Sequence, residues 1–262
     1  MSIPELIGLS FAVTLGYMTA IWLLSLALRN ASIVDVFWGL GFVVLAFVYF
    51  AGGDGFVGRK VLITTLVTIW GLRLSLHILR RNWGEGEDYR YRQWRERAGK
   101  AFWWKSYFQV FLLQGILLWL ISAPLLAAQS YDSPDNFTAV DILGALVWGV
   151  GFFFESVGDW QLARFKSDPA SKGKVMRTGL WRYTRHPNYF GDATVWWGLF
   201  IIAAATVSGA WTIFSPVLMT FLLLRVSGIA LLERKQAETK PQYREYIEST
   251  SAFLPWFPRM RR

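Results

Sequence analysis

The segment from Gly179 to Asp192 concentrates side chains that could bind a phosphorylated ligand. Its sequence is GLWRYTRHPNYFGD. Arg182, Arg185 and His186 supply N–H donors suited to phosphate, and an arginine can offer two parallel donors. Pro187 interrupts a helix and biases the residue before it toward an extended backbone. We therefore interpret this segment as a loop that wraps an anionic ligand.

Three carboxylates lie where apolar stretches begin or end. Glu155 and Asp159 are four residues apart and share a helix face, so they repel unless an arginine, ligand hydroxyls or an amide donates to them. Asp35 follows Ser32 at the start of another stretch, and it either caps that helix or acts in a site. An ionisable residue inside a membrane span costs about 3 kcal/mol or more and is a functional candidate by default.

The composition excludes several classes of protein. Of 262 residues, 54% are hydrophobic and 17% are charged, whereas a soluble domain is about a quarter charged. An apolar excess excludes a disordered chain, and the absence of cysteine excludes a disulfide scaffold. One histidine in the loop and no cysteine are too few ligands for a metal site, so none is expected.

Apolar stretches near the spanning length predict a membrane protein. We predict an all-α, polytopic bundle of seven transmembrane helices that forms a single domain over residues 1–262. The spans are about 4–28, 33–52, 60–79, 102–128, 138–160, 190–206 and 208–232.

The basic residues predict the orientation. Arg59 and Lys60 fall on one side of the membrane, and Arg73 and Arg225 lie within spans. The rest of the 27 Lys and Arg residues lie in or beside the loops after spans one, three and five and in the tail. The positive-inside rule then places the N-terminus outside and the C-terminus in the cytosol. Topology accounts for most of the net charge of +9, so no nucleic acid partner is expected.

Ionisable residues within the spans gather in the predicted cytosolic half. They are Asp35, Arg73, His77, Glu155, Asp159, Asp192, Arg225 and Glu233. This pattern predicts a polar cavity open to the cytosol and closed by hydrocarbon above it. A transporter more often needs polar groups near the midplane, so the pattern disfavours transport.

A second segment, residues 82–97, mixes donors, acceptors and aromatic rings. It is either part of a binding site or an amphipathic interfacial segment with Trp83 and Trp94 at the headgroups. The chain has no GxGxxG loop after a strand, which excludes a Rossmann domain. A dinucleotide would therefore have to be held by the membrane scaffold.

The RHPNYFGD segment, an apolar hairpin and an ERK…YREY tail resemble one group of integral membrane enzymes. This group contains steroid 5-alpha-reductases, sterol C14- and C24-type reductases and isoprenylcysteine carboxyl methyltransferases. The segments SIVDVFWGLGF, GLRLSLHILRRNWGEGEDYRY and FESVGDWQLARFK favour a bacterial form of the steroid 5-alpha-reductase branch. The resemblance implies a multi-pass protein of the bacterial inner membrane.

The resemblance also implies NADPH bound from the cytosol and an enone lipid, such as a steroid, that enters from the membrane. The implied cofactor-binding residues are Arg81, Asn82, Tyr89, Glu155, Asp159, Arg164, Lys166, Tyr183, Arg185, His186, Asn188, Tyr189, Asp192, Arg225 and Glu233. Asp35 matches an acidic position near the substrate carbonyl, and Trp38 and Trp70 are implied substrate contacts. Trp70 stands where the steroid enzymes place a catalytic tyrosine, and Glu233 stands where a tyrosine is expected.

The expected reaction is hydride transfer to the β-carbon of a conjugated enone, with acid assistance at the carbonyl oxygen. Burial at a membrane helix start favours the neutral acid, so Asp35 is the expected proton donor. Arg164, Lys166 and Arg185 would meet the phosphates and favour NADPH over NADH. Two alternatives stay open: an S-adenosylmethionine-dependent methyltransferase that uses the same loop and Glu233, and a lipid-binding or transport protein without chemistry.

Overall fold

The computed structural model describes residues 1–226, 229, 233, 240 and 242–258, and its regular elements are all helical within this part of the chain. The all-α prediction is therefore confirmed. The α-helices are α1 (Ile3–Leu28), α2 (Ile33–Gly52), α3 (Val57–Asn82), α4 (Tyr89–Ala98), α5 (Phe102–Ser106), α6 (Leu113–Ile121), α7 (Ala123–Ser130), α8 (Ala139–Ser167), α9 (Pro187–Ala204), α10 (Phe214–Phe221) and α11 (Gln242–Ser249).

Five helical stretches of the described chain are long and apolar enough to cross a membrane. They are α1, α2, α3, the run Tyr89–Ser130 and α8. The run Tyr89–Ser130 joins α4 to α7 through a 3₁₀ turn and a π-helical turn, so the predicted loop at 82–97 is mostly helical. A multi-pass membrane protein is thus supported. The count of seven spans stays a prediction, because α9 and the shorter apolar helix Ala210–Val226 are not among the five. The orientation of the chain in the membrane also stays a prediction.

The chain divides into two compact units, which are described separately. Unit 1 comprises residues 1–141 and 202–212, and unit 2 comprises residues 142–201 and 213–262. The single domain expected over residues 1–262 stays a prediction.

In unit 1, α2 and α3 meet backbone to backbone. A Cβ atom at Gly39 would lie 2.8 Å from the Gly71 carbonyl oxygen, so only glycine permits this approach. Beside it, the Phe42 ring lies 4.9 Å from Trp38 and 5.7 Å from Trp70. Trp70 is fully buried and packs between the two helices, and its role as a substrate contact stays a prediction, as does that of Trp38.

A buried ion pair lies at the other end of unit 1. Arg59 is inaccessible to solvent, and its Nε donates to Asp141 Oδ1 at 2.7 Å while Nη2 donates to Oδ2 at 3.1 Å. Nη1 and Nη2 also donate to the carbonyl oxygens of Pro134 and Asn136, both at 3.1 Å. One of the two basic residues on the predicted outer side is therefore neutralised within the protein.

In unit 2, α8 and α9 pack antiparallel along a row of glycines. A Cβ atom at Gly191 would lie 2.3 Å from the Glu155 amide nitrogen, and one at Gly198 would lie 2.5 Å from the Trp148 amide nitrogen. Gly151 similarly faces Val195 and Gly191. Small residues allow such close helix contact within membranes. This packing determines where the side chains of both helices meet.

Candidate functional site

The carboxyl group of Asp35 binds two side chains from the start of α4. Oδ1 accepts a hydrogen bond from the Tyr91 hydroxyl at 2.7 Å, and Oδ2 accepts one from Arg90 Nη2 at 3.0 Å. Ser32, which precedes α2, makes no side-chain capping bond. Asp35 does lie in the first turn of α2, as the capping interpretation expects, but its carboxyl oxygens also make a tertiary contact, so capping is not its only role.

Tyr91 is the functional candidate that sequence reasoning missed. Its side chain is buried, and its hydroxyl also accepts a hydrogen bond from Gln114 Nε2 at 3.3 Å. The phenol thus lies between a carboxylate and an amide within an apolar bundle. The signal in the sequence was weak: buried carboxylates need hydrogen-bond donors, and Tyr91 lies in the mixed segment 82–97 that also contains Tyr89. We call Asp35, Arg90, Tyr91 and Gln114 the acid cluster.

A turn before α4 holds the acid cluster in place. Asp88 caps α4 by accepting from the Arg90 amide at 2.9 Å. Glu87 accepts from the Ala31 amide at 2.7 Å and from Arg95 at 2.8 and 2.9 Å. Burial acts to raise the pKa of Glu87, but the hydrogen bonds from Arg95 and Ala31 outweigh it and lower that pKa. The ionised Glu87 therefore ties the turn to the start of α2.

Three implied cofactor residues lie near this turn but outside the acid cluster. Arg81 is exposed, and its Nε donates to the side-chain oxygen of its neighbour Asn82 at 3.1 Å. Tyr89 begins α4 with 45% of its surface exposed. Their role as cofactor contacts stays a prediction.

In unit 2, Glu155 and Asp159 are buried on one face of α8. Asn188, in the first turn of α9, donates from Nδ2 to Asp159 Oδ1 at 3.1 Å. An amide is thus one donor to Asp159, which is a possibility that the sequence left open. The side-chain oxygen of Asn188 is buried and has no hydrogen-bond partner within the described residues. That oxygen is an available acceptor beside the buried carboxylate of Asp159.

Arg185 and His186 contact Glu233. Arg185 Nε donates to Glu233 Oε1 at 2.7 Å and Nη2 donates to Oε2 at 3.1 Å. Arg185 Nη1 donates to the carbonyl oxygens of Ile247, at 3.0 Å, and Thr250. His186 Nε2 lies 3.0 Å from Glu233 Oε1.

The donors of Arg185 are therefore largely used within the protein. Four of its five N–H groups have protein acceptors, and its side chain is buried. Arg185, Glu233 and His186 thus form an internal clamp, and their implied role as cofactor contacts stays a prediction. The sequence could not show this, because Glu233 lies 48 residues after Arg185.

The clamp predicts an acid-dependent loss of stability. Burial acts to raise the pKa of Glu233, but hydrogen bonds from His186 and Arg185 and the positive charge of Arg185 bring it down to about 2. A carboxylate with a lowered folded-state pKa stabilises the protein above its unfolded pKa of about 4.5, and this contribution is lost as the pH falls toward 2. Glu233→Gln should cost about 3 kcal/mol at pH 7, and the difference from the wild type should shrink between pH 4.5 and 2.

Thermal unfolding in detergent at several pH values measures this difference. Glu245→Gln is the matched control, because Glu245 forms an exposed pair with Arg177 at 3.1 Å that contributes little. A difference for Glu233→Gln that stays constant with pH would contradict the proposed ionisation.

The C-terminal segment lies along the loop that precedes α9. The Arg185 amide donates to the Ser251 carbonyl at 2.9 Å, and the Trp256 amide donates to the Tyr183 carbonyl at 2.9 Å. Between them, Thr184 Oγ1 donates to the Phe253 carbonyl at 2.9 Å. We call residues 251–258 the strap.

The remaining implied cofactor residues are distributed around unit 2. Arg164 and Lys166 are exposed near the end of α8, Tyr189 stacks on His186 with ring centroids 5.6 Å apart, Asp192 is half-buried on α9, and Tyr183 and Arg225 are exposed. Asp159 and Asn188 are thus two implied cofactor residues that a hydrogen bond joins, and the roles of all these residues as cofactor contacts stay predictions. No group of His, Asp or Glu that could hold a metal ion occurs within the described residues.

Comparison with known proteins places the chain in a family. A family described as "Protein of unknown function (DUF1295)" matches residues 21–250. The chain belongs to the DUF1295 family. It is also similar to the Schizosaccharomyces pombe protein named "Uncharacterized protein C594.04c", with 26% identity over 278 residues that cover 96% of this chain and 80% of the relative. No solved structure matches the chain.

Proposed function

We propose that this DUF1295 protein is a membrane-embedded, NADPH-dependent reductase of a conjugated enone lipid. The reaction would resemble the conversion of a 3-oxo-Δ4 steroid to its 5α-reduced product, in the bacterial inner membrane. The observation that carries the proposal is the buried pair of Tyr91 and Asp35 in unit 1. The resemblance to steroid 5-alpha-reductases supports the same reaction.

The acid cluster suits the charge that develops during enone reduction. When hydride adds to the β-carbon, negative charge develops on the carbonyl oxygen, and a preorganised donor in a water-poor site stabilises it. The Tyr91 hydroxyl is such a donor, and Asp35 and Gln114 fix its position. Methyl transfer needs no acid at a carbonyl, so this pair favours reduction over a methyltransferase.

The donor in this proposal is Tyr91, with Asp35 as its positioning partner. Both oxygens of Asp35 already accept hydrogen bonds, whereas the Tyr91 hydroxyl can turn its proton toward a carbonyl oxygen. The O–H bond of Tyr91 breaks as the proton joins the carbonyl oxygen. Arg90, whose guanidinium carbon lies 5.4 Å from the Tyr91 ring centroid, stabilises the phenolate until water restores the proton. The enol product becomes the ketone by proton exchange with water.

The residues of unit 2 fit a nicotinamide cofactor. The unpartnered side-chain oxygen of Asn188 can accept from a carboxamide N–H, and Asp159 holds the Asn188 amide in place. Arg164 and Lys166 are exposed cations that can bind phosphates, including the 2′-phosphate that distinguishes NADPH from NADH. When bound, NADPH would supply the hydride.

Cofactor binding by the full chain in detergent tests the proposal. NADPH at about 100 times its Kd should stabilise the protein by about 2.7 kcal/mol, with less effect from NADH and none from S-adenosylmethionine. Asn188→Ala should reduce the NADPH effect, and Asn136→Ala, at an exposed position of unit 1, should not. NADPH oxidation with an enone steroid then tests the reaction.

Other binding results would favour one of the two alternative functions. Stabilisation by S-adenosylmethionine alone would show a methyltransferase. If none of the three stabilised the protein, with or without an enone steroid, a lipid-binding protein without chemistry would be favoured.

A further inference from the structure

A cavity with two arginines in its lining opens beside the strap in unit 2. Its volume is about 440 Å³, and its lining residues are Arg177, Thr178, Gly179, Arg182, Tyr246, Ser249, Thr250 and Pro258 of the strap. Arg177 and Arg182 supply two positive charges, and Thr178, Ser249 and Thr250 supply hydroxyl groups. Cationic guanidinium groups beside hydroxyl donors are suited to a phosphate group. Neither Asp159 nor Asn188 lines this cavity, and the proposed reaction assigns it no role.

The two arginines differ in how they are held. Arg177 donates to Glu245 Oε2 at 3.1 Å and to the Gln242 carbonyl, and its guanidinium carbon lies 5.6 Å from the Tyr246 ring centroid. Arg182 is exposed and makes no hydrogen bond or ion pair within the described part of the chain. One cation is thus fixed by the protein, and the other is available to a ligand.

The strap presents large apolar side chains near this cavity. Leu254, Trp256 and Phe257 are 65%, 72% and 75% exposed, although Pro258 of the same segment lines the cavity. Hydrogen bonds hold the strap to residues 183–185, immediately before α9 begins at Pro187. If α9 enters the membrane at its first turn, these side chains lie at the depth of the lipid headgroups, where tryptophan is enriched.

We propose that this cavity binds the phosphate headgroup of an anionic phospholipid. Arg177 and Arg182 contact the phosphate, and Trp256 and Phe257 insert between the lipids around it. A soluble phosphate would explain the arginines but not the exposed aromatic side chains beside them. The sequence after the strap adds Arg259, Arg261 and Arg262, outside the described residues, and each cation near an anionic leaflet strengthens attraction.

Lipid titration of the full chain in detergent micelles tests this site. The probes are phosphatidylglycerol and phosphatidylcholine with the same acyl chains, and thermal stabilisation gives the affinity. Phosphatidylglycerol should stabilise the wild type more than phosphatidylcholine does. Arg182→Gln should weaken phosphatidylglycerol binding about tenfold. Arg97→Gln is the matched control, because Arg97 is an exposed arginine of unit 1 outside the cavity, and it should leave binding unchanged.

A second variant distinguishes the source of the phosphate. Trp256→Ser combined with Phe257→Ser should weaken phosphatidylglycerol binding while both arginines remain. Equal stabilisation by the two lipids would overturn the proposal. The proposal would also be overturned if millimolar inorganic phosphate or NADPH displaced phosphatidylglycerol while the Trp256 and Phe257 double variant bound phosphatidylglycerol as the wild type does. That result would favour a soluble phosphate as the ligand. These results do not depend on whether the protein reduces an enone.

Discussion

Tyr91→Phe should lower the rate of NADPH-dependent enone reduction about 10²- to 10³-fold, while NADPH still stabilises the protein. Removal of one preorganised donor to a developing oxyanion has an effect of this size. The phenylalanine ring keeps the packing of Tyr91 and removes the hydroxyl that Asp35 and Gln114 contact. The measurement is kcat with an enone steroid in detergent, together with NADPH binding by thermal shift.

Asp35→Asn separates positioning from proton donation. An asparagine can still accept from the Tyr91 hydroxyl, so we expect a smaller loss of kcat than in Tyr91→Phe. Tyr107→Phe is the matched control, because the Tyr107 hydroxyl lies 3.2 Å from Thr19 Oγ1 in the same unit and outside the acid cluster. If Tyr91→Phe kept full turnover, Tyr91 would not be the proton donor. If Asp35→Asn kept full turnover, the Asp35 carboxylate would not be needed to position Tyr91.

Arg59→Met should destabilise the protein by about 3–5 kcal/mol without changing NADPH affinity. The variant leaves the buried Asp141 carboxylate without its guanidinium partner, and an uncompensated buried charge has a cost of this order. Two carbonyl oxygens, of Pro134 and Asn136, lose their donors at the same time. Thermal or denaturant unfolding in detergent measures the loss.

The double variant Arg59→Met with Asp141→Leu tests the charge explanation. Because it removes both charges, it should be more stable than Arg59→Met alone. Lys60→Met is the matched control: Lys60 Nζ donates to the Gly53 carbonyl oxygen, and it has no buried carboxylate partner among the residues that the structure describes. If the double variant were less stable than Arg59→Met, lost packing would explain the effect better than lost charge compensation.

The sequence predicted the features that depend on local composition. Apolar stretches predicted the helices, and the four-residue spacing of Glu155 and Asp159 placed both on one face of α8. The resemblance implied Asp159 and Asn188 as separate cofactor contacts, and the hydrogen bond that joins them is seen only in the structure.

Contacts between distant segments were not predictable in the same way. Tyr91 meets Asp35 across 56 residues, and α4 had been assigned to a loop. Arg185 has the donor chemistry of a phosphate ligand, and only the tertiary fold shows that Glu233 and two carbonyl oxygens use it. Trp70 was placed by alignment at a substrate position, although close packing of α2 on α3 buries it.

The glycine row between α8 and α9 has a consequence for how these helices assemble. Gly144, Gly151 and Gly158 recur every seven residues on α8, and Gly191 and Gly198 have the same interval on α9. Sliding one helix by a single turn would press a side chain against the opposite backbone, so the next compatible register is about 10 Å away. Such a slip would remove more than a third of the overlap of the 18-residue α9. The seven-residue glycine repeat thus selects one register of α8 against α9, and in this register Asn188 reaches Asp159.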